Sequence, residues 1–258
     1  VDQSDLTFPR LDETPPQRGP SSPLPGVTWG IRDIVLGVFA ALVVFFVLGA
    51  VIVGGATAAY GENSIEADLA EAVAIALLDV VLVVTVLAVV SRKGAGLPEL
   101  GFRAPRQGWG VMVALIVGAY LGAIFLVNLY GVLIDLFGLD ALQPSQQLPS
   151  DFYDHTGVVI ISGIAIVFMA PVAEEIFFRG FIFGGLRHYV ALPIAGLLSG
   201  GLFSLAHGDP GLVIPFTCVG LVLAVIYEYT RSLYAAIGVH FVFNTLSFLL
   251  LLLFPDLR

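Results

Sequence analysis

The stretch that decides the fold runs Ala170-Pro171-Val172-Ala173-Glu174-Glu175-Ile176-Phe177-Phe178-Arg179-Gly180. Two adjacent carboxylates and an arginine stand in one of the most apolar parts of the chain. No charge occurs from Val158 to Met169 or from Phe181 to Leu186. Ionisable groups within such a run are expensive to bury in a membrane, so they are paired, functional or both. Helical spacing divides their roles. Glu175 and Arg179 are i, i+4 and share a face, the geometry of an internal ion pair. Glu174 is rotated by roughly 100° from its neighbour on a helix of 3.6 residues per turn. It is therefore free to face something else, and it is the carboxylate left for chemistry.

The composition around this stretch sets the class. The 258 residues are 58% hydrophobic and 12% charged, and mean hydropathy is +0.97. That points to an all-α fold, a polytopic bundle of transmembrane helices. The net charge of −9 comes without a basic stripe, so no nucleic-acid partner is expected. The single cysteine, Cys218, excludes an internal disulfide and any CxxC motif, and it reads as a packing residue.

Apolar runs predict seven spans, with an eighth kept open. They are Ile34 to Val53, Leu69 to Val90, Trp109 to about Phe137, Val158 to about Arg187, Ala191 to His207, Leu212 to Tyr229 and Leu233 to Phe254. Residues 1–30 are rich in Pro, Asp, Ser and Arg and read as a disordered tail. The N-terminal helices and loops fill 31–157, and a core carrying the polar motifs fills 158–255. Arg92, Lys93, Arg103 and Arg106 stand together between the second and third spans, which makes that loop cytoplasmic. The N-terminus is then cytoplasmic too. The acidic stretches Gly54 to Asp68 and Gly138 to Thr156 fall outside. Asp79 lies inside the second span and reads as a polar helix–helix contact, with service to a substrate cavity as the alternative.

Three more polar groups interrupt the apolar second half. His207 follows Phe203 by one turn, and His240 and Asn244 are i, i+4 on the last helix. Counting ~1.5 Å per residue from the cytoplasmic ends puts Glu174 about 20 Å deep, His207 about 24 Å, His240 about 14 Å and Asn244 about 20 Å. Polar groups on three helices at one level imply a polar cavity within the bundle. A carboxylate and a histidine can activate a water, and a second histidine with an amide can donate to an oxyanion. Together these suit hydrolysis of an acyl bond. No serine or cysteine shows the base-plus-orienter arrangement of a nucleophile.

These motifs, in this order, resemble the CPBP family of intramembrane proteases. That family includes the type II CAAX prenyl endopeptidases and the bacteriocin-processing or Abi proteins. The matching residues are Glu174-Glu175-Ile176-Phe177-Phe178-Arg179-Gly180, Phe203-Ser204-Leu205-Ala206-His207 and His240-Phe241-Val242-Phe243-Asn244. The resemblance covers about Val158 to Phe248, and Leu97 to Trp109 is more weakly similar to the family's cytoplasmic loop. It implies an intramembrane endopeptidase of a bacterial inner membrane, acting on a membrane-protein, prenylated or leader-peptide substrate. By the resemblance, Glu174 and His207 activate the water and His240 and Asn244 stabilise the oxyanion. Glu175, Arg179 and Phe203 support them. Glu174, His207 and His240 could in principle bind zinc, but neither HExxH nor a cysteine set is present, and a cofactor-free glutamate mechanism is the expectation. Two other classes stay open: a non-catalytic immunity or scaffold protein that binds through the same cavity, and a transporter with a proton relay.

Overall fold

The computed structural model of the protein describes residues 26–62, 64–145 and 155–254. Every regular element among them is helical. Six helices are long and apolar enough to cross a bilayer. They are α1 (Ile31–Tyr60), α2 (Ile65–Arg92), α3 (Trp109–Phe137), α4 (Thr156–Leu186), α6 (Val213–Thr230, opened by a 3-10 turn Pro210–Leu212) and α7 (Leu233–Leu253). The expected fifth span, Ala191 to His207, is the shorter α5 (Leu192–Leu205). Its 14 residues rise only about 21 Å, less than a hydrocarbon core of ~30 Å. Among the described residues the count is six helices long and apolar enough to span, plus one short one.

Loops are tighter than the sequence predicted at the acidic end. α1 continues to Tyr60 and α2 starts at Ile65, so only residues 61–64 join them. Ser64 caps α2 by accepting from the Ala67 N–H at 3.2 Å. Of the expected external loop after α3, residues 146–154 lie outside the described residues.

α4 is the axis of the bundle. It is packed by α1, α2, α5, α6 and α7, whereas α3 packs mainly on α6 and α7. All nine residues from Glu175 to Phe183 are buried. The run Phe177-Phe178 and Phe181-Ile182-Phe183 is enclosed by the neighbouring helices on every side. In a bilayer the drive is close packing rather than escape from water, so small residues set the approach. At the α5–α6 crossing a Cβ on Gly220 would lie 2.6 Å from the Gly200 Cα. Only glycine permits this approach.

Pro171 does more than bend α4. The helix runs in π register at Ala165–Met169 and again at Glu175–Phe183, with the short α-helical piece Ala170–Glu174 between. The Ala170 N–H bonds to Ala165 O, i→i−5. Continued one residue, that register would aim the nitrogen of Pro171 at Ile166 O, and proline has no N–H. The carbonyl is satisfied from another helix, as described below. Single-turn π segments are frequent at functional sites.

The tail reading also changes at its end. Residues 1–25 lie outside the described residues, but Trp29, just after them, packs onto α4 against Phe181 and Gly185. Trp29 is fully buried and donates its indole N–H to Phe181 O at 2.9 Å. A π register leaves carbonyls with poor intrahelical partners, and this one recruits a donor from outside. On the same side, the loop after α2 is tied down. Leu100 is fully buried against Gly180, its carbonyl accepts from the Tyr227 hydroxyl at 3.0 Å, and Gly101 takes a left-handed φ of 93° beneath the Tyr227 ring.

Candidate functional site

The site forms where α4, α5 and α7 meet. The doublet on α4 splits as its helical phase demands. The Glu175 side chain is 0% exposed and that of Glu174 is 17% exposed. Glu175 Oε1 lies 2.9 Å from Arg179 Nη1 and accepts from His240 Nδ1 at 2.9 Å. The predicted i, i+4 pair is therefore present, and it also holds the histidine of α7.

Arg179 is boxed on every side. Its Nη2 donates to Gly220 O at 3.3 Å, and its guanidinium carbon sits 4.6 Å from the centre of the Phe203 ring. A cation over an aromatic face recovers part of the desolvation cost. The glycine crossing of α5 and α6 provides the room, because a Cβ on Gly220 would lie 3.4 Å from Arg179 Nη2. Phe203 is thus a support, as its place in the motif suggested.

The His240 hydrogen bond fixes its tautomer. Nδ1 carries a hydrogen, because its partner is a carboxylate. Nε2 then faces Glu174 Oε2 at 3.7 Å, too far for a hydrogen bond and close enough for charge to matter. An apolar groove lined by Tyr120, Ala123, Val219, Leu223 and Phe243 also reaches His240.

His207 lies across Phe203 from His240. The ring centres are 4.8 Å from Phe203 to His207 and 5.9 Å from Phe203 to His240. His207 Nδ1 donates to Phe203 O at 2.8 Å, and Phe216 meets its ring edge-on at 4.7 Å. With its hydrogen on Nδ1, the neutral ring leaves a lone pair on Nε2. His207 forms no hydrogen bond or ion pair with Glu174 among the described residues; it is linked to His240 through the Phe203 ring that both flank.

Asn244 is placed differently from a free oxyanion donor. Its amide donates to Ile166 O at 2.8 Å, the carbonyl that Pro171 leaves without an N–H. One of the two amide hydrogens is spent there, and the second remains. Among the described residues, no three His, Cys, Asp or Glu side chains converge as a metal site. Zinc needs three ligands within about 2.0–2.2 Å. His240 keeps its Nε2 toward Glu174 at 3.7 Å, and His207 and His240 both flank the Phe203 ring.

Sequence reasoning missed three supports. Ser199 donates to Phe178 O at 2.7 Å, locking α5 to α4. Glu228 pairs with Arg187 at 3.0 Å and with Arg231 at 3.2 Å, tying α4 and α6 at the basic end. Arg231 holds a left-handed φ of 59° in that turn. Glu228 had a signal, its i, i+3 spacing to Arg231. Asp79 is the remaining buried carboxyl; its Oδ2 has no hydrogen-bond partner among the described residues.

Residues 156–246 match a family model described as type II CAAX prenyl endopeptidase Rce1-like. Over 88 residues the chain is 33% identical to YdiL, a Bacillus subtilis (strain 168) protein provisionally named a membrane peptidase. That overlap covers 34% of this chain and 34% of YdiL, so the alignment spans about a third of each. No solved structure matches. The family-model match falls on the segment that carries Glu174, Glu175, Arg179, His207, His240 and Asn244, and over it the chain is similar to the type II CAAX prenyl endopeptidases.

Proposed function

We propose that this integral membrane protein is an intramembrane endopeptidase. Its substrate would be a membrane-associated protein, a prenylated C-terminus or a leader peptide. The observation that carries the reading is the difference within the doublet: Glu175 is buried and doubly bound, while Glu174 is accessible and faces His240 Nε2 at 3.7 Å.

In the proposed reaction Glu174, assisted by His207 Nε2, takes a proton from a water. The water oxygen adds to the scissile carbonyl carbon, and the carbonyl oxygen becomes an oxyanion. His240 takes part as the imidazolium: its Nδ1–H is held by the Glu175 carboxylate, which Arg179 holds in turn, and its Nε2–H donates to the oxyanion and stays on the ring throughout. The second amide hydrogen of Asn244 is the other donor. Collapse breaks the C–N bond, and the proton held by Glu174 passes to the leaving nitrogen. The products are an amine and a carboxylic acid, which loses its remaining proton to solvent, and the route uses no metal.

Charge supports an orientation. Among the described residues every Lys and Arg except Arg179 lies at one end of the bundle, with Arg32, Arg92, Lys93, Arg103, Arg106, Arg187 and Arg231. The positive-inside rule makes that end, and the N-terminus, cytoplasmic.

The test compares membrane-protein and peptide termini in host cells carrying the wild type or Glu174→Gln. New termini only with the wild type are expected. Identical termini with both proteins well expressed would overturn the reading. Activity of the purified protein surviving chelation is the second expectation, and loss restored by added zinc would overturn the metal-free route.

A further inference from the structure

Asp79 sits mid-way along α2, on the stripe Ala72, Asp79, Leu82, Val86 and Val90 that faces the bundle. The residue is 4% exposed. A carboxyl at that place is a substantial cost in a bilayer unless something compensates it. The structure offers no compensation of the usual kind. Its Oδ2 has no hydrogen-bond partner among the described residues. No described cation is available either: Arg179 is bound to Glu175 and Gly220 O, and the others lie at the basic end. The group that Asp79 interacts with electrostatically is Glu174, on the part of α4 against which α2 packs.

A purely structural role fits this poorly. A helix–helix contact would show a donor on the neighbouring helix, and an apolar residue would pack the stripe better. A buried carboxyl on the helix that packs against the Ala170–Glu174 piece has a use if something polar enters that interface. We propose that Asp79 is a positioning residue for Glu174: across the α2–α4 interface it holds, through the cavity water, the Glu174 carboxylate and the water it activates. This inference rests on the endopeptidase reading above. It adds a third carboxyl to the site, from a helix outside the segment 156–246 that matches the family.

The two roles predict opposite signs. Removing an uncompensated buried carboxyl relieves a cost, so a positioning role trades stability for activity. In detergent or lipid nanodiscs, Asp79→Asn is expected to keep or raise the thermal midpoint while kcat falls at least tenfold at unchanged KM. Asp79→Leu is expected to do the same, and Asp79→Glu to recover part of kcat. An unchanged kcat in Asp79→Asn would overturn the proposal. So would a midpoint and kcat that fall together in both variants, the pattern of a merely structural residue. Glu174→Gln is run beside them. If it too keeps wild-type activity, the endopeptidase reading fails along with this one; if it is dead while Asp79→Asn is fully active, only the role of Asp79 fails.

Discussion

The two helices α3 and α4 have similar length and similar apolar content, yet they live in different surroundings. In their most apolar windows α3 is 11% buried and α4 is 39% buried. Phe125 on α3 is 65% exposed, and Phe181 on α4 is 0% exposed. Hydropathy alone does not separate them, because lipid and protein interior are equally apolar solvents for a phenylalanine. What separates them is the set of groups that lipid cannot accommodate. α4 carries Glu174, Glu175 and Arg179, while the only charged residue of α3 is Asp135, at its end. A helix with mid-span charges must be surrounded by helices that supply partners, and α4 is.

The comparison breaks most easily at Glu175. Replacing Glu175 by Gln keeps the shape and removes the charge that Arg179 and His240 share. An uncompensated guanidinium is then left buried, which costs about 3–5 kcal/mol. The expected outcome is a large loss of thermal stability together with loss of activity. A Glu175→Gln protein as stable as the wild type would show that the ion pair does not organise the bundle. Glu174→Gln sharpens the contrast from the other side. Its carboxylate is tied to no internal cation, so the melting curve should scarcely move, while the rate falls on the order of 10²–10⁴-fold, the contribution of a general base. Equal behaviour of the two variants would end the division of labour within the doublet.

Gly220→Ala tests the packing that makes room for Arg179. The new methyl would meet the Gly200 Cα at 2.6 Å, backbone against backbone. Overpacking of this kind costs about 1–3 kcal/mol. A lowered thermal midpoint is expected, and an unshifted one would mean that α5 and α6 slide apart freely. Trp29→Phe should have an effect of the same order. The ring is nearly retained, but Phe181 O loses its donor in a buried place, at a cost of about 1–3 kcal/mol. Faster amide exchange along α4 at Phe181 is the specific readout. Exchange unaltered there would mean that the N-terminal segment is a passenger.

Much of this was legible in the sequence because a membrane makes polar residues conspicuous. Glu174, Glu175, Arg179, His207, His240 and Asn244 are the interruptions in apolar runs, and helical phase alone assigned Glu175 to Arg179. What could not be read lies in the backbone. A π register has no side-chain signature, so nothing in Ala165–Met169 announces that Ile166 O will need Asn244. Trp29 was hidden for a related reason. It follows a Pro-rich polar stretch, and its partner is a carbonyl 152 residues away. Helix α5 is shorter than the run Ala191 to His207 read for it, because the helix ends at Leu205. Asp79 was visible as an oddity, but its neighbour Glu174 lies on a different helix, and only the fold brings them into one electrostatic field.

The smallest effect is expected on α3 itself. Phe125→Ala removes a large side chain from a surface that faces away from the bundle, so the packing around α4 is untouched. Exposed substitutions of this sort change stability by no more than about 0.5 kcal/mol. In a bilayer the lost ring is replaced by lipid chains of the same polarity, which leaves even the transfer term small. Thermal midpoint and activity should both match the wild type. Ala123, two residues away, gives the internal control: it is 6% exposed and lines the groove that reaches His240. Ala123→Phe should therefore disturb the α3–α7 contact and the activity, although it makes the helix more apolar. If Phe125→Ala proved as damaging as Ala123→Phe, the outer face of α3 would be making contacts as specific as those of α4, and the distinction between a lipid-facing helix and a protein-enclosed one would no longer hold for this chain.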